Sequence, residues 1–568
     1  MSSAARASPR ASFRWLWPYV RPQLAPLFAV IGLAMLICVL STAQPYLSKL
    51  IIDQGLIARR FTFLVWLCGA VVALAASGFL LGAVNRWQYV RMSGRILFSM
   101  REAVYAHLLR LSPEFFRERP VGDLVTRLDG DVAEIQRFST DTLLAFINGV
   151  FLLIATGAIM AALSLQLTLV AVCVLPFQLL LRYKARRFVT ETTRSVREQA
   201  GRITHFLVET LGAVKAVQAA AAEQWEGRRL AELNRGFLKR LVSQQLVGYW
   251  VGGASGLLGH TTTAAVFIAG GYQVLHGSLT VGTLVAFTAY LTRSTGSAVS
   301  LMNLYSAYQR ATVSLQRVRE LLDAAPAPQS SSPQRSLDHQ AKGHLRFERV
   351  SFSRAATTSA LIDGLSFEIT PGSKIVIHGE SGVGKSTLVD LLRRFAEPDA
   401  GQIMLDGRNL RDYEIGSLRR RIVVLESAPT VFRASILYNL RYGNFDASRA
   451  AVLDVSQRAG VDAFVATLPQ GYDTELGSGG IGLSTGQRQR IAVARTLLGD
   501  PLIVVLDEAT SNLDAAAACS MHALIDDHFV HRTRLVITHA PRLVPGAGQV
   551  LELRHGRLRR TDRGLIGA

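Results

Sequence analysis

A glycine-rich loop stands between an apolar run and a helical pattern in the second half of the chain. The run reads KIVIH, the loop GESGVGKST, and the helical pattern TLVDLLRRF. Glycines in this context let several backbone N–H groups face one anion, a following lysine reaches the outer phosphates, and the next hydroxyl can bind Mg²⁺. The pattern predicts a phosphate-binding loop made of Gly379, Glu380, Ser381, Gly382, Val383, Gly384, Lys385, Ser386 and Thr387.

Two acidic residues follow a second apolar run, in LIVVLDEAT. A buried strand in this position delivers Asp507 and Glu508 at its C-terminal end. Asp507 suits Mg²⁺, and Glu508 is placed to act as the general base that polarises an attacking water. Together with the loop, these residues predict hydrolysis of a nucleotide phosphate.

The composition indicates that part of the chain lies in lipid. Of 568 residues, 49% are hydrophobic and 18% are charged, and the mean hydropathy is +0.25. The net charge is +20, and most Arg and Lys residues between positions 86 and 240 fall in polar stretches that separate apolar runs. This arrangement is typical of cytoplasmic loops, so we expect a lipid bilayer and no nucleic acid as partner. The four isolated cysteines predict neither a disulfide framework nor a structural zinc site.

Six apolar stretches approach the roughly 20 residues that a helix needs to cross a bilayer. They are residues 27–43, 63–84, 143–163, 167–181, 249–272 and 281–301. The long connections, at 85–142 and 182–248, are helical in pattern and rich in Arg and Glu. The membrane helices are therefore predicted to continue into the cytoplasm, with both chain termini on that side.

A segment rich in Pro, Ser and Gln, PAPQSSSPQRSLDHQAKG, predicts a flexible linker. After it, the β-rich runs LRFERVSF, LSFEI, KIVIHG, RIVVL, LIVVLDE and TRLVITH alternate with helical segments, which predicts a mainly parallel α/β sheet. The expected organisation is a cytoplasmic tail at 1–24, an α-helical six-helix transmembrane domain at 25–322, a linker at 323–343 and an α/β P-loop ATPase domain at 344–568.

The stretch LSTGQRQRIAVARTLL, which shortly precedes the acidic strand, resembles the signature motif of ABC transporter ATPases. SNLD, ending at Asp514, is similar to their D-loop, and His539 in VITHA is similar to their switch histidine. In the membrane half, FFRERPVGDLVTRLDGDVAEI and FLVETLGAVKAVQAAAAEQ resemble sequences of ABC exporters. The resemblance extends over almost the whole chain.

The resemblance implies an exporter-type half-transporter that pairs with a second copy of itself. Each ATP, with Mg²⁺, would lie between the phosphate loop of one copy and the signature of the other. Catalytic roles would fall to Glu508, His539 and Lys385. Further nucleotide contacts would come from Ser484, Thr485, Gly486, Gln487 and Asp514. Segments 114–123 and 205–215 match the family's cytoplasmic coupling regions.

The expected activity is ATP-driven export of a hydrophobic or amphipathic molecule (lipid, peptide or drug-like) from the cytoplasm or inner leaflet of a bacterial-type inner membrane. Two alternatives stay open: one half of a heterodimeric exporter, and a membrane-anchored regulatory ATPase without transport. His260 and Arg293 fall inside apolar stretches, where ionisable residues usually face a cavity or a partner. For Arg293, contact with an anionic substrate group and a structural role between helices are both open.

Three positions depart from the family's pattern. Thr485 stands where the signature more commonly has glycine. The aromatic residue that stacks on adenine is missing, and Arg354 in its place either stacks on the purine or is a solvated loop residue. Ser427 occupies the position of the Q-loop glutamine, with Glu426 beside it, so we expect altered hydrolysis. The candidate Mg²⁺ ligands are Ser386, Asp507, Glu426 and Ser427.

Overall fold

The computed structural model of the protein describes residues 14–324, 335–337, 340–353, 360–477, 480, 482–511, 513 and 515–560, with a few helical side chains left out. The described residues divide into two compact units. Unit 1 lies within Met1–Val104 and Val125–Glu320, and unit 2 within Tyr105–Leu124 and Leu321–Ala568.

Long helices make up unit 1. The helices of the first 322 residues are α1 (Trp17–Val20), α2 (Leu24–Leu50), α3 (Phe61–Leu108), α4 (Pro113–Arg117), α5 (Val121–Thr126), α6 (Val132–Arg137), α7 (Leu143–Leu163), α8 (Leu165–Gly212), α9 (Val214–Ala219), α10 (Glu223–Leu275) and α11 (Val281–Leu322). π-helical turns at Ile51–Ile57, Arg127–Asp131 and Phe138–Thr142 extend α2 and join α5, α6 and α7. Helix α4 belongs to unit 2.

The six predicted apolar stretches lie on α2, α3, α7, α8, α10 and α11. Among the described residues, three helical stretches are long and apolar enough to cross a membrane by length and composition: Trp17–Ile57, Phe61–Leu108 and Val121–Leu163. Large apolar side chains point outward in this unit, for example Phe79 at 76% and Ile268 at 75% exposure. Such surfaces are expected where lipid replaces water as the solvent.

A proline interrupts the hydrogen bonding of α2, and α11 repairs it. Pro45 has no N–H, so the carbonyl of Ser41, four residues earlier, loses its helical donor. The Arg293 guanidinium donates to this carbonyl and, at 3.0 Å, to Gln44 Oε1. The Tyr290 hydroxyl donates to the next carbonyl, of Thr42, at 2.5 Å. These contacts give Arg293 a structural role between two helices.

Two sheets form unit 2, around the strands β1 (Leu345–Phe352), β2 (Ile362–Ile369), β3 (Lys374–His378), β4 (Ala400–Leu405), β5 (Arg408–Asn409), β6 (Ile422–Glu426), β7 (Ile503–Asp507), β8 (Thr533–Thr538), β9 (Gln549–Arg554) and β10 (Arg557–Arg560). The larger sheet has the order β10-β9-β3-β8-β7-β6, in which β9, β3, β8, β7 and β6 run parallel. Strands β3 and β7 are buried along nearly their whole length, as parallel strands covered on both faces are.

Apart from α4, the described helices of unit 2 cover the larger sheet. They are α12 (Lys385–Leu392), α13 (Ile415–Arg421), α14 (Ile436–Arg441), α15 (Arg449–Arg458), α16 (Asp462–Val465), α17 (Thr485–Leu498) and α18 (Ala515–His528). Leu388 and Leu392 of α12 join the core between the two sheets. Ile491 and Val493 of α17 join the core on the other face, with Ile525 of α18. Both helices that follow nucleotide motifs are thereby fixed by buried apolar residues.

One expectation about the sheet was wrong in detail. LRFERVSF and LSFEI form β1 and β2, which pair antiparallel with each other in a separate sheet of order β2-β1-β4-β5. The alternating burial of β1 is typical of an antiparallel strand with one covered face. Alternation within a short run does not reveal the sheet to which the strand belongs.

The end of the predicted linker contacts unit 2. Arg335 N–H donates to the Asp412 carbonyl at 3.1 Å, and the Arg335 carbonyl accepts from Glu414 N–H at 3.0 Å. Leu337 is buried in the core of unit 2. The end of the Ser-rich segment therefore packs onto the ATPase fold, because one leucine supplies the apolar anchor. Residues 325–334 lie outside the described part of the chain.

Candidate nucleotide-binding site

The glycine-rich loop joins β3 to α12 in a conformation that needs its glycines. Gly384 has φ +108°, a left-handed value that side chains disfavour, and a Cβ there would lie 3.2 Å from Leu361 Cγ. A Cβ at Gly379 would collide with the carbonyl of Leu553 on β9. The loop therefore follows a path closed to most other residues, as a phosphate-cradling loop must.

Lys385 occupies the centre of the loop. Its Nζ donates to the carbonyls of Gly379 at 2.7 Å and Glu380 at 2.9 Å, and lies 3.8 Å from Glu508 Oε1. The residue is buried, and burial lowers the pKa of the ammonium, while the carboxylates of Glu508 and Asp507 act in the opposite direction. A cation is thus held inside the loop by groups that a phosphate can replace.

Asp507 ends the buried strand β7 and meets the hydroxyl of Ser386, the first residue after the loop lysine. Burial raises the pKa of the Asp507 carboxyl, as do the neighbouring carboxylates, whereas the Ser386 hydrogen bond lowers it. Among the described residues, Asp507 Oδ1 is buried and has no hydrogen-bond partner. An orphaned carboxylate oxygen beside a serine hydroxyl fits a hard cation such as Mg²⁺.

Glu508 and His539 come together from neighbouring strand ends. Glu508 has φ +52°, and its N–H donates to the Ile537 carbonyl of β8 at 2.9 Å. Its Oε1 lies 2.6 Å from His539 Nε2. A strained backbone of this kind is found where the surroundings fix a residue for function. The histidine thus orients the carboxylate that sequence reasoning selected as the base.

A cavity of about 560 Å³ gathers these groups within unit 2. It is lined by Arg117, Leu361, Ser381, Gly382, Gly384, Lys385, Ser386, Thr387, Asp390, Glu426, Ser427, Asp507 and Glu508. The sequence predicted all of these except Arg117, Leu361 and Asp390. Asp390 could have been found, since it lies one helical turn after Ser386 on α12. Arg117 lies in the stretch FFRERPVGDLVTRLDGDVAEI, which resembles exporter sequences but gives no sign of a place in this cavity, and Leu361 lies in no recognised motif.

The signature residues lie apart from this cavity. Ser484 caps α17: its Oγ accepts from Gln487 N–H at 3.2 Å, and Gln487 Oε1 accepts from Ser484 N–H at 2.8 Å. Thr485 Oγ1 accepts from Arg488 at 3.3 Å, and Gly486 has open space where a Cβ would be. None of these residues is among the described residues that line the cavity.

Side chains of α17 fix the loops around the site. Gln489 donates to the Ala509 carbonyl, just after Glu508. Arg495 donates to the Thr430 carbonyl at 2.7 Å and to Asn439 Oδ1 at 2.8 Å, and burial lowers its pKa to about 10. Sequence reasoning missed both residues, because polar residues on a helix give no sign of the loop they support.

Two family models match in tandem. One, described as ABC transporter transmembrane region, matches residues 27–297, and the other, described as ABC transporter, matches residues 362–511. The chain belongs to the ABC transporter superfamily. The order of the two matches is that of an exporter half-transporter, in which the membrane domain precedes its own ATPase.

Individual relatives support the exporter type. An ATP-dependent lipid A-core flippase of Syntrophus aciditrophicus is 29% identical over 550 residues, which cover 96% of this chain and 90% of that protein. The cyclolysin secretion/processing ATP-binding protein CyaB of Bordetella pertussis is 29% identical over 564 residues, which cover 98% of this chain and 77% of that protein. The solved structure of a bacterial Atm1-family ABC exporter with ATP bound matches with a TM-score of 0.78 and 26% identity, over 95% of this chain and 94% of that one. This protein is accordingly an ABC exporter with an ATP-binding, transport-coupled ATPase domain.

The exporter's departures from the family pattern can now be placed. Glu426 ends β6 and stands in register with Asp507 of β7, and both Glu426 and Ser427 line the cavity. Thr485 is the first residue of α17, where its hydroxyl is used within the helix. Arg354 and Asp514 lie outside the described residues, so their roles stay predictions.

Proposed function

We propose that two copies of this chain form a Mg²⁺-ATP-driven exporter that moves a hydrophobic or amphipathic molecule out of the cytoplasm or the inner leaflet. The observation that carries the proposal is the division of the site. One cavity holds Lys385, Asp507 and Glu508, whereas the signature helix begins outside it. A second copy that supplies its own α17 N-terminus would complete the phosphate environment.

Each residue of the cavity has a proposed task. The loop N–H groups and Lys385 bind phosphate, and Ser386 and Asp507 hold Mg²⁺, which neutralises phosphate charge when it is bound. Glu508 accepts the proton of the attacking water, and His539, 2.6 Å away, keeps its carboxylate in place. Glu426 and Ser427 contact the same region from the end of β6 and adjust the rate of hydrolysis.

The dimeric site can be tested by complementation. One copy carries Lys385→Ala and the other Gly486→Asp, a change for which the part of its own chain that the structure describes leaves room, since outside the local helix backbone no described atom lies within 4 Å of the new Cβ. Each variant alone should be inactive. The first lacks the lysine that binds phosphate, and the second places a carboxylate where the signature would face phosphate. A dimer of the two differently tagged variants keeps one intact loop opposite one intact signature, so ATPase activity should return in the mixed species. If mixed dimers stay as inactive as the separate variants, the site is not shared between copies.

Purified wild-type protein tests the two alternatives, a heterodimeric exporter and a regulatory ATPase. Wild-type chain purified alone should hydrolyse ATP as a dimer, with mass determined in lipid nanodiscs. An inactive pure homodimer would favour a heterodimeric exporter. An active homodimer whose ATPase responds to no compound and moves none would favour a regulatory ATPase.

The substrate class rests on the apolar spans. Arg293, which lies within the sixth apolar stretch, donates to the Ser41 carbonyl and to Gln44, which favours the structural role over contact with an anionic substrate group. His260 lies exposed on α10. The relatives' names mention a lipid A-core flippase and cyclolysin secretion, so an amphipathic substrate is the shared chemistry that we propose.

A panel of lipids, hydrophobic peptides and drugs tests the substrate class. Purified protein in nanodiscs should show higher ATPase activity with a transported compound, and proteoliposomes should then accumulate or flip that compound only with Mg²⁺-ATP. Glu508→Gln, which binds ATP without hydrolysing it, is the matched control. Stimulation confined to small polar solutes would contradict the proposal.

We also propose the membrane orientation and the domain limits. Basic residues in the long polar stretches favour an inner membrane with both termini and the ATPase domain in the cytoplasm. The limits 1–24, 25–322, 323–343 and 344–568 enclose both family matches. Labelling of single cysteines at residue 58, between α2 and α3, and at residue 118 should mark opposite sides of the membrane.

A further inference from the structure

An arginine from the segment between α3 and α5 reaches the nucleotide cavity. Arg117, the last residue of α4, lies in unit 2 and lines the cavity together with Asp390. Arg117 Nη2 and Asp390 Oδ2 are 3.0 Å apart, with side-chain exposures of 52% and 19%. Asp390 belongs to α12, the helix that starts at the loop lysine. The pair therefore joins α4 to the phosphate-binding element itself.

The charge balance of the cavity gives this pair a purpose. Four carboxylates line the cavity, those of Asp390, Glu426, Asp507 and Glu508, against two cations, Lys385 and Arg117. Lys385 lies against Glu508, so it does not balance Asp390. A triphosphate adds further negative charge, and an uncompensated carboxylate at the edge would repel it.

A third cation lies nearby but is not on the cavity surface. Arg393 is partly buried, interacts electrostatically with Glu426 and Asp390, and stacks over the Phe395 ring at 4.8 Å. It is therefore a further countercharge to these two carboxylates, but it does not line the cavity among the described residues, whereas Arg117 does. Among the described residues, Arg117 is the cation that both lines the cavity and pairs with Asp390.

The chain around Arg117 leads directly to membrane helices. Helix α3 carries an apolar span and ends at Leu108, and α4 begins at Pro113. The continuous helical stretch Val121–Leu163 follows, and it also has the length and composition of a membrane span. A short polar segment between two spans thus supplies one charge to the ATPase.

We propose that Arg117 is a positioning residue of the ATPase: its ion pair with Asp390 cancels a negative charge at the cavity and makes affinity for Mg²⁺-ATP depend on where the α4 segment lies. A displaced segment leaves Asp390 unpaired and weakens nucleotide binding. The alternative is a surface ion pair that only holds α4 in place and contributes little to nucleotide binding. That alternative predicts altered stability with unchanged nucleotide affinity.

The experiment measures basal ATPase of the full chain in lipid nanodiscs, so it does not depend on the transported substrate. Variants are Arg117→Gln, Arg117→Lys, Asp390→Asn and the double variant Arg117→Gln/Asp390→Asn. Arg110→Gln removes an exposed arginine of the same segment, outside the cavity, and serves as the matched control. Thermal unfolding of each variant reports on the fold.

Arg117→Gln should raise KM for Mg²⁺-ATP about fivefold with kcat within about twofold, since it leaves one uncompensated charge near the phosphates. Arg117→Lys should restore most of the affinity, and high salt should shrink the difference. Asp390→Asn should leave KM unchanged or slightly lower, and the double variant should return to near wild type.

Each outcome decides the proposal. An Arg117→Gln protein with wild-type KM, or a double variant as weak as Arg117→Gln, would overturn it. If Arg117→Gln does not fold, Asp390→Asn still tests the sign: a KM raised more than about threefold means that Asp390 does not repel nucleotide, and the proposal fails.

Discussion

The ends of β6 and β7 lie side by side, in register at Glu426 and Asp507, yet they differ in setting. Strand β7 has a neighbour on each side and is buried up to Asp507, whereas β6 is the edge strand and Glu426 is exposed. Both carboxylates line the same cavity, but Asp507 is held more firmly than Glu426.

This difference separates a fixed part of the site from an adjustable one. Asp507 and Glu508 have positions set by β8, by Ser386 and by His539. Glu426 and Ser427 are followed by a loop that Arg495 supports from α17. We expect substitutions at the end of β7 to change whether ATP is hydrolysed, and substitutions at the end of β6 to change how fast.

The largest effect is expected for Glu508→Gln. Loss of the general base should lower kcat at least about 100-fold, while ATP binding persists because the phosphate loop is unchanged. Steady-state ATPase and ATP-binding titrations measure the two quantities. Substantial residual hydrolysis would mean that another group, Glu426 first among them, accepts the proton.

Asp507→Asn should rank second. The amide keeps the shape but removes the charge, so the Mg²⁺ concentration for half-maximal ATPase should rise about tenfold. A Mg²⁺ titration at saturating ATP measures this shift. An equal shift of the Mg²⁺ titration by Asp507→Asn and Glu426→Gln would contradict the expected difference between the two strand ends.

Glu426→Gln and Ser427→Gln should each change basal ATPase by only about two- to threefold, because the carboxylate at the edge strand is exposed and screened. Ser427→Gln restores the amide that the family pattern leads one to expect, and it should strengthen stimulation by a transported compound. Basal and stimulated rates for both variants test this. If neither rate changes in either variant, the two residues are bystanders.

Thr485→Gly should have the smallest effect, within about twofold, since helix propensity at the first position differs by only a few tenths of a kcal/mol. ATPase activity and thermal unfolding measure the effect, with Thr485→Ser as control. A large loss would show that the Thr485 hydroxyl, bonded to Arg488 in this structure, acts on nucleotide.

Sequence patterns predicted the elements that carry the site because each motif includes its own context. The phosphate loop is bounded by a buried strand and a helix, so the sequence on either side of the loop predicts its position in the fold. The acidic pair likewise ends a run of buried residues. Residues that are neighbours in these motifs are therefore also neighbours in the site.

Contacts between distant segments could not be read in this way. Arg117 precedes its partner by 273 positions, and the exporter-like stretch in which it lies does not indicate Asp390 as its partner. Arg335 and Leu337 look like linker residues, yet they pack against α13 and its preceding turn. Strands β1 and β2 belong to a second sheet because β1 also pairs with β4, and no sequence motif indicates that strand.

The capping box at Ser484 fixes what kind of atom can approach α17. A hydroxyl has one hydrogen and two lone pairs, and Gln487 N–H already occupies one lone pair. Gln487 in turn takes up the backbone N–H of Ser484. What remains at the helix end is a rotatable O–H, one lone pair of the hydroxyl oxygen and the first helical N–H groups, so donors outnumber acceptors there. Hydrogen-bond polarity, before any full charge is considered, therefore makes this end a receiver of acceptor atoms and a poor neighbour for donors.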